Sequence, residues 1–148
     1  MPKSYYSSVF EQSADAVWAV IRDFNNYPVW VDGVGESVIE DGRAGDAVGA
    51  VRNVLYKGAH RRQKLLALSD CDRTQTYAFA GDIPLPVRNF EATIRVTSVV
   101  DGDLAFVEWW ATFDCAAEDH DARVTFFREA FAGWLESLRR HLQQARAA

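Results

Sequence analysis

The strongest constraint on the fold lies at the C-terminal end of the chain, where Val124, Phe127, Phe131, Trp134, Leu135, Leu138 and Leu142 recur at helical spacing. A stripe this broad reads as one long amphipathic helix whose apolar face has to be covered by something else. The acidic patch Glu118-Asp119-His120-Asp121 precedes it on what reads as a solvated face. Arg139, Arg140 and Arg146 sit near its end, where cations suit the helix dipole.

The partner for that face lies upstream. From about residue 36 to 114, β-type runs alternate with the turn signals Asp41-Gly42, Lys57-Gly58, Ser69 to Arg73, Gly81 to Pro86 and Asp101-Gly102. Strands are predicted near 36–41, 46–56, 60–69, 74–80, 88–100 and 103–115, and regular turns without intervening helices imply an antiparallel meander. Residues 4–10 read as a first strand. Ser13 then offers an N-cap for a helix over 13–24 carrying Val17, Trp18, Ile21 and Phe24, and a second short helix is predicted through Trp30. The expected fold is α+β: a seven-stranded curved antiparallel sheet gripping the last helix, with one or two short helices after the first strand. Such a sheet can enclose a cavity between its concave face and the helix.

The length of 148 residues suits a single domain over 1–148, large enough to need no disulfide or metal staple. A net charge of −5 argues against nucleic-acid binding, which draws on a surplus of Lys and Arg. Two cysteines, Cys71 and Cys115, exclude a disulfide framework and fit a cytoplasmic protein. No apolar run reaches membrane-spanning length, and the start lacks a signal peptide. His60, His120 and His141 lie on separate elements, so neither a metal site nor any other cofactor is expected. The oligomeric state is open, a homodimer among the options.

Four strings carry a resemblance. They are Val48-Gly49-Ala50-Val51-Arg52; Gln63 to Asp70; Gly81 to Thr93; and Val107-Glu108-Trp109-Trp110-Ala111-Thr112-Phe113-Asp114. With the element order, they resemble the helix-grip superfamily of START lipid-transfer domains, birch-pollen-allergen-like proteins, polyketide cyclases and plant abscisic acid receptors. Within it the chain is most similar to the bacterial polyketide cyclase/dehydrase-like branch, close to lachrymatory-factor synthase. In those relatives an arginine matching Arg52 acts on substrate oxygens together with a glutamate and a tyrosine. Here those two positions hold Gln63 and Phe90, neither of which can exchange a proton near neutral pH. Tyr56 and Tyr77 are available as substitutes, with Asp82 or Glu36 near the mouth.

Strand parity independently indicates the cavity wall. Phe90, Ala92, Ile94 and Val96 form one apolar set; Ala105, Val107, Trp109, Ala111 and Phe113 form the other. Ala92 and Ala111 either leave room for a ligand or accommodate Phe131 and Trp134 from the helix. Arg52 shares its parity with Val48, Ala50, Val54 and Tyr56, which places a guanidinium on an apolar wall. It must find a carboxylate, a water cluster or a ligand oxygen, because an unpaired buried charge costs several kcal/mol. The plainer readings pair it internally or swing it to the rim with only its stem buried. The segment holding Ile83, Pro84, Leu85 and Pro86 is either a semi-rigid lid or a turn packed on its own sheet.

The sequence therefore points to a small hydrophobic ligand, whether lipid, polyketide or another carbonyl compound. Arg52, Gln63, Phe90, Trp109, Ala111, Phe131 and Trp134 are its candidate contacts. Two alternatives stand beside this reading: a cyclase or dehydratase acting on a small carbonyl substrate, and a filled-core interaction module with Trp30 and Trp110 as an exposed patch.

Overall fold

A computed structural model describes residues 1–147; the side chain of Arg146, expected near the last helix end, lies outside what it describes. Strand β1 (Lys3–Phe10) is followed by helices α1 (Ala14–Ile21) and α2 (Tyr27–Trp30). Strands β2 (Val34–Ile39), β3 (Val51–Tyr56), β4 (Ala59–Ser69), β5 (Thr74–Phe79), β6 (Arg88–Val99) and β7 (Leu104–Asp114) come next, and helix α3 (His120–Ala147) closes the chain. The strands form one antiparallel sheet in the order β1-β7-β6-β5-β4-β3-β2, so the first strand pairs with the last and β2 is the far edge. This is the expected helix-grip architecture.

The boundaries differ where turn chemistry overrides an apolar pattern. Strand β3 begins at Val51 rather than at residue 46, because Gly49 adopts φ +92° and breaks the extended run. Val48 is thereby left 57% exposed instead of facing inward. Helix α1 stops at Ile21, and Phe24 enters the core from the loop after it. Strand β2 occupies 34–39 rather than 36–41, since Glu40–Gly42 forms a 3₁₀ turn with Asp41 at φ +61°. The parity of the two long strands is as expected: Phe90, Ala92, Ile94, Val96, Ala105, Val107, Trp109, Ala111 and Phe113 are all buried.

Helix α3 buries Phe127, Phe131, Leu135, Leu138 and Leu142 against the sheet. Its backbone runs closest to β1 and β7, and polar ties hold it to that side. Ser4 Oγ donates to the Val124 carbonyl at 2.7 Å. Arg139 donates to the Val9 carbonyl at 2.9 Å and lays its guanidinium 4.4 Å from the centre of the Phe10 ring. On the other flank Ser137 Oγ donates to the Trp30 carbonyl and accepts from the Asp32 amide at 3.0 Å, which ties α2 to the helix.

Helix α1 is anchored at its end to the β4–β5 turn. Asp70 accepts from Arg22 Nε at 2.9 Å and from Trp18 Nε1 at 2.8 Å. The Arg22 guanidinium, and then the indole, lower the Asp70 carboxyl to about 2. A depressed folded-state pKa contributes stability above the unfolded value, and that contribution is lost as pH falls toward 2. Asp70→Asn is therefore expected to be less stable than the parent at pH 7 and to converge with it near pH 2. Urea unfolding across that range measures the difference.

Candidate functional site

Between α3 and strands β2 to β6 lies a cavity of about 510 Å³. The sheet contributes Val34, Val54, Tyr56, Gln63, Tyr77, Phe79 and Phe90; α3 contributes Phe126, Phe127, Ala130, Phe131 and Trp134; α2 and its exit add Tyr27 and Val31. Lys57 and Glu129 are exposed and mark the mouth, with Arg61 half-buried beside them. Rings dominate the wall: Phe90 lies 5.1 Å from both Phe79 and Phe127, and Trp134 stands edge-on to Tyr56 at 5.8 Å between ring centres.

Of the seven side chains singled out from sequence, Gln63, Phe90, Phe131 and Trp134 line this cavity. Arg52, Trp109 and Ala111 are fully buried behind it and do not reach its surface. Trp109 is covered by Phe131, stacked at 4.9 Å, and by Trp134 at 5.3 Å. Ala92 and Ala111 pair across β6 and β7 in the sheet region where Phe127 packs on Phe113. Both are fully buried and neither lines the cavity.

In the segment between β5 and β6, Leu85 lines the cavity and Ile83 packs against the core. Pro84 and Pro86 are exposed, and Pro84 borders a separate outer depression with Asp82 and His60. Asp82 and Glu36 do not line the cavity. Trp30 is 3% exposed, which removes the expected Trp30–Trp110 surface patch.

Sequence reasoning missed Tyr27, Val31, Phe79 and Phe126 as cavity residues. The aromatic-proline string Tyr27-Pro28-Val29-Trp30 was the available signal for the first of these.

Arg52 is the unusual group. It sits directly opposite Gln63 across β3 and β4 and is fully buried. Its Nε and Nη2 donate to Gln63 Oε1 at 2.9 and 2.6 Å, and its Nη1 donates to the Phe24 carbonyl at 3.0 Å. The guanidinium carbon lies 3.9 Å from the Phe24 ring centre, 3.7 Å from Tyr27 and 5.0 Å from Tyr77. The cation is thus held by neutral acceptors and aromatic faces, with no ion pair to a carboxylate among the described residues. Beside it, the Tyr77 hydroxyl accepts from Trp109 Nε1 at 3.2 Å. Burial, and then the neighbouring Tyr27 phenol, push the Tyr77 hydroxyl well above the ordinary tyrosine range.

Residues 1–144 match the family described as polyketide cyclase / dehydrase and lipid transport, and the chain belongs to that family. Among solved structures it is similar to the protein XoxI from Bacillus cereus, with 26% identity, a TM-score of 0.83 and coverage of 95% of this chain and 94% of that one. An uncharacterized protein from Bacillus thuringiensis matches at 25% identity and TM-score 0.82, covering 93% and 96% of the two chains. A protein from Nitrosospira multiformis matches at 25% and 0.74, covering 90% and 93%. No curated protein matches the chain.

Removing the guanidinium strands the buried Phe24 carbonyl, a loss of about 1–3 kcal/mol, while relieving the cost of a desolvated charge. Because the stranded partners are neutral, Arg52→Met is expected to lower stability by about 1–3 kcal/mol, less than a broken buried ion pair. Guanidinium chloride unfolding tests this, and a rise in stability would show that desolvation outweighs the three hydrogen bonds.

Proposed function

We propose that the protein binds and carries a small hydrophobic molecule, of lipid, polyketide or other carbonyl-containing type, between the sheet and α3. The observation that carries this reading is the ring-walled cavity of about 510 Å³. Its size falls within the ~300–1,000 Å³ of small-molecule sites. Burying ~250 Å² of ligand apolar surface at ~25 cal/mol per Å² contributes roughly 6 kcal/mol before ordering costs. The family description, which includes lipid transport, points the same way.

A cyclase or dehydratase needs a group that moves a proton beside the substrate. The inner wall offers Gln63 and Phe90 where that chemistry would place an acid and a phenol, and Tyr77 is pushed away from neutral titration. Of the groups that could substitute, Tyr56 lines the cavity but its hydroxyl accepts from Trp134 Nε1 at 3.3 Å, and the carboxylate of Glu129 stands at the solvent-facing mouth. The binding reading is therefore the better supported.

Native mass spectrometry of the purified protein is expected to show a co-purifying small molecule. Ala130 lines the cavity from α3, so Ala130→Trp fills it without removing a core side chain. That variant is expected to stay folded and to lose the bound species. Retention of the same ligand by a folded Ala130→Trp would place binding elsewhere.

The segment of Ile83, Pro84, Leu85 and Pro86 serves in this reading as a lid. Among residues 81–87 the one backbone amide with a backbone acceptor is Val87, bonded to the Leu85 carbonyl at 2.8 Å. The amides of Asp82, Ile83 and Leu85 are expected to exchange rapidly in the free protein and to slow on ligand binding, as measured by hydrogen–deuterium exchange. Strong protection in the free state would identify a packed turn instead.

A further inference from the structure

We propose that Gln63 is the specificity-determining contact of the cavity, selecting ligands that present a hydrogen-bond acceptor oxygen, and that Arg52 acts through it as a positioning residue. The proposal rests on the binding reading above and adds the chemistry of the recognised group.

The argument starts from what a guanidinium can do. Arginine only donates hydrogen bonds, so the atom of Gln63 that meets Arg52 has to be the carbonyl oxygen. Oε1 takes both Nε and Nη2 of Arg52, at 2.9 and 2.6 Å. The amide is planar, so this double contact fixes its orientation and turns Nε2, with its two N–H groups, away from Arg52. Gln63 is half-buried and lines the cavity, and no hydrogen bond within the described residues takes up Nε2. Two bonds from a cation to Oε1 also polarise the amide and strengthen Nε2 as a donor.

A second side chain shapes the same part of the wall. Tyr27 lines the cavity with its ring centre 3.7 Å from the Arg52 guanidinium carbon, and its hydroxyl is buried beside the Tyr77 phenol. Both side chains are fixed against one guanidinium, so the Tyr27 ring adjoins Gln63 on the cavity wall and limits where a ligand oxygen can sit beside Nε2.

The test uses a matched pair of probes, 2-acetylnaphthalene and 2-ethylnaphthalene, which are close in size and differ in the acceptor oxygen. Titration of the 15N-labelled protein followed by NMR reads both the affinity and the Gln63 side-chain amide protons. The parent is expected to bind the ketone about tenfold more tightly, with the Gln63 amide protons moving downfield for the ketone alone. Gln63→Leu is expected to bind both probes with equal affinity, and so is Gln63→Glu, which faces the cavity without a donor. Arg52→Met frees the amide to rotate and is expected to lose the preference, while Arg52→Lys, which still donates to Oε1, retains part of it. If Arg52→Met does not fold, Gln63→Leu and the amide shift decide alone. Equal affinities in the parent, or a preference that survives in Gln63→Leu, would overturn the proposal while leaving the carrier reading intact. Failure of both probes to bind the parent would overturn the two together.

Discussion

Helix α3 is seated off-centre, and the site follows from that. Its backbone lies along β1 and β7, held by Ser4 on the Val124 carbonyl and by Arg139 on the Val9 carbonyl, with Phe131 stacked on Trp109 beneath it. A helix centred on a seven-stranded sheet would fill the concave face. Displaced toward one edge, it leaves the inward residues of β3, β4 and β5 facing it across an open space. Protein interiors are otherwise close-packed, so such a space persists only between walls that resist collapse. Here the walls are large rings in mutual contact: Phe79, Phe90 and Phe127 on one flank, Tyr56 and Trp134 on another.

How much of this was legible in the sequence depended on the kind of pattern involved. Period-two alternation in β6 and β7 placed nine side chains on the buried face, and the 3.6-residue stripe identified the face of α3, because both patterns report burial directly. The same alternation failed over 46–50, where Gly49 at positive φ turns the chain and leaves Val48 in solvent. Alternation separates inside from outside but cannot separate cavity from core. Trp109 and Ala111 carry the same parity as Phe90, yet Phe90 lines the cavity while the other two lie under the helix. That distinction comes from where α3 rests, which is a property of the whole assembly rather than of any strand. Tyr27 escaped notice for a related reason: it reaches the cavity from a four-residue helix too short to show a period.

The position of Arg52 was legible, but its partners were not. Sequence reasoning offered a carboxylate, a water cluster or a ligand oxygen, with internal pairing or a swing to the rim as the plainer readings, and the structure shows internal pairing to neutral groups. It supplies Gln63 from the adjacent strand, a loop carbonyl, and two aromatic faces. Neutral acceptors and ring quadrupoles offset part of the desolvation cost while leaving the net charge in place. A positive charge therefore lies directly behind the part of the cavity wall that Gln63 forms.

The same geometry shows what an amide rather than a carboxylate at position 63 does. A carboxylate opposite Arg52 would neutralise the charge and offer the cavity an acceptor or a base. The amide accepts from Arg52 with its oxygen and has only N–H groups left to offer. Amide and carboxylate thus present hydrogen bonds of opposite polarity to the cavity, and the benzyl ring of Phe90 presents neither donor nor acceptor. The phenols and the carboxylate that the cavity does hold, Tyr27, Tyr56, Tyr77 and Glu129, come from other positions on its wall.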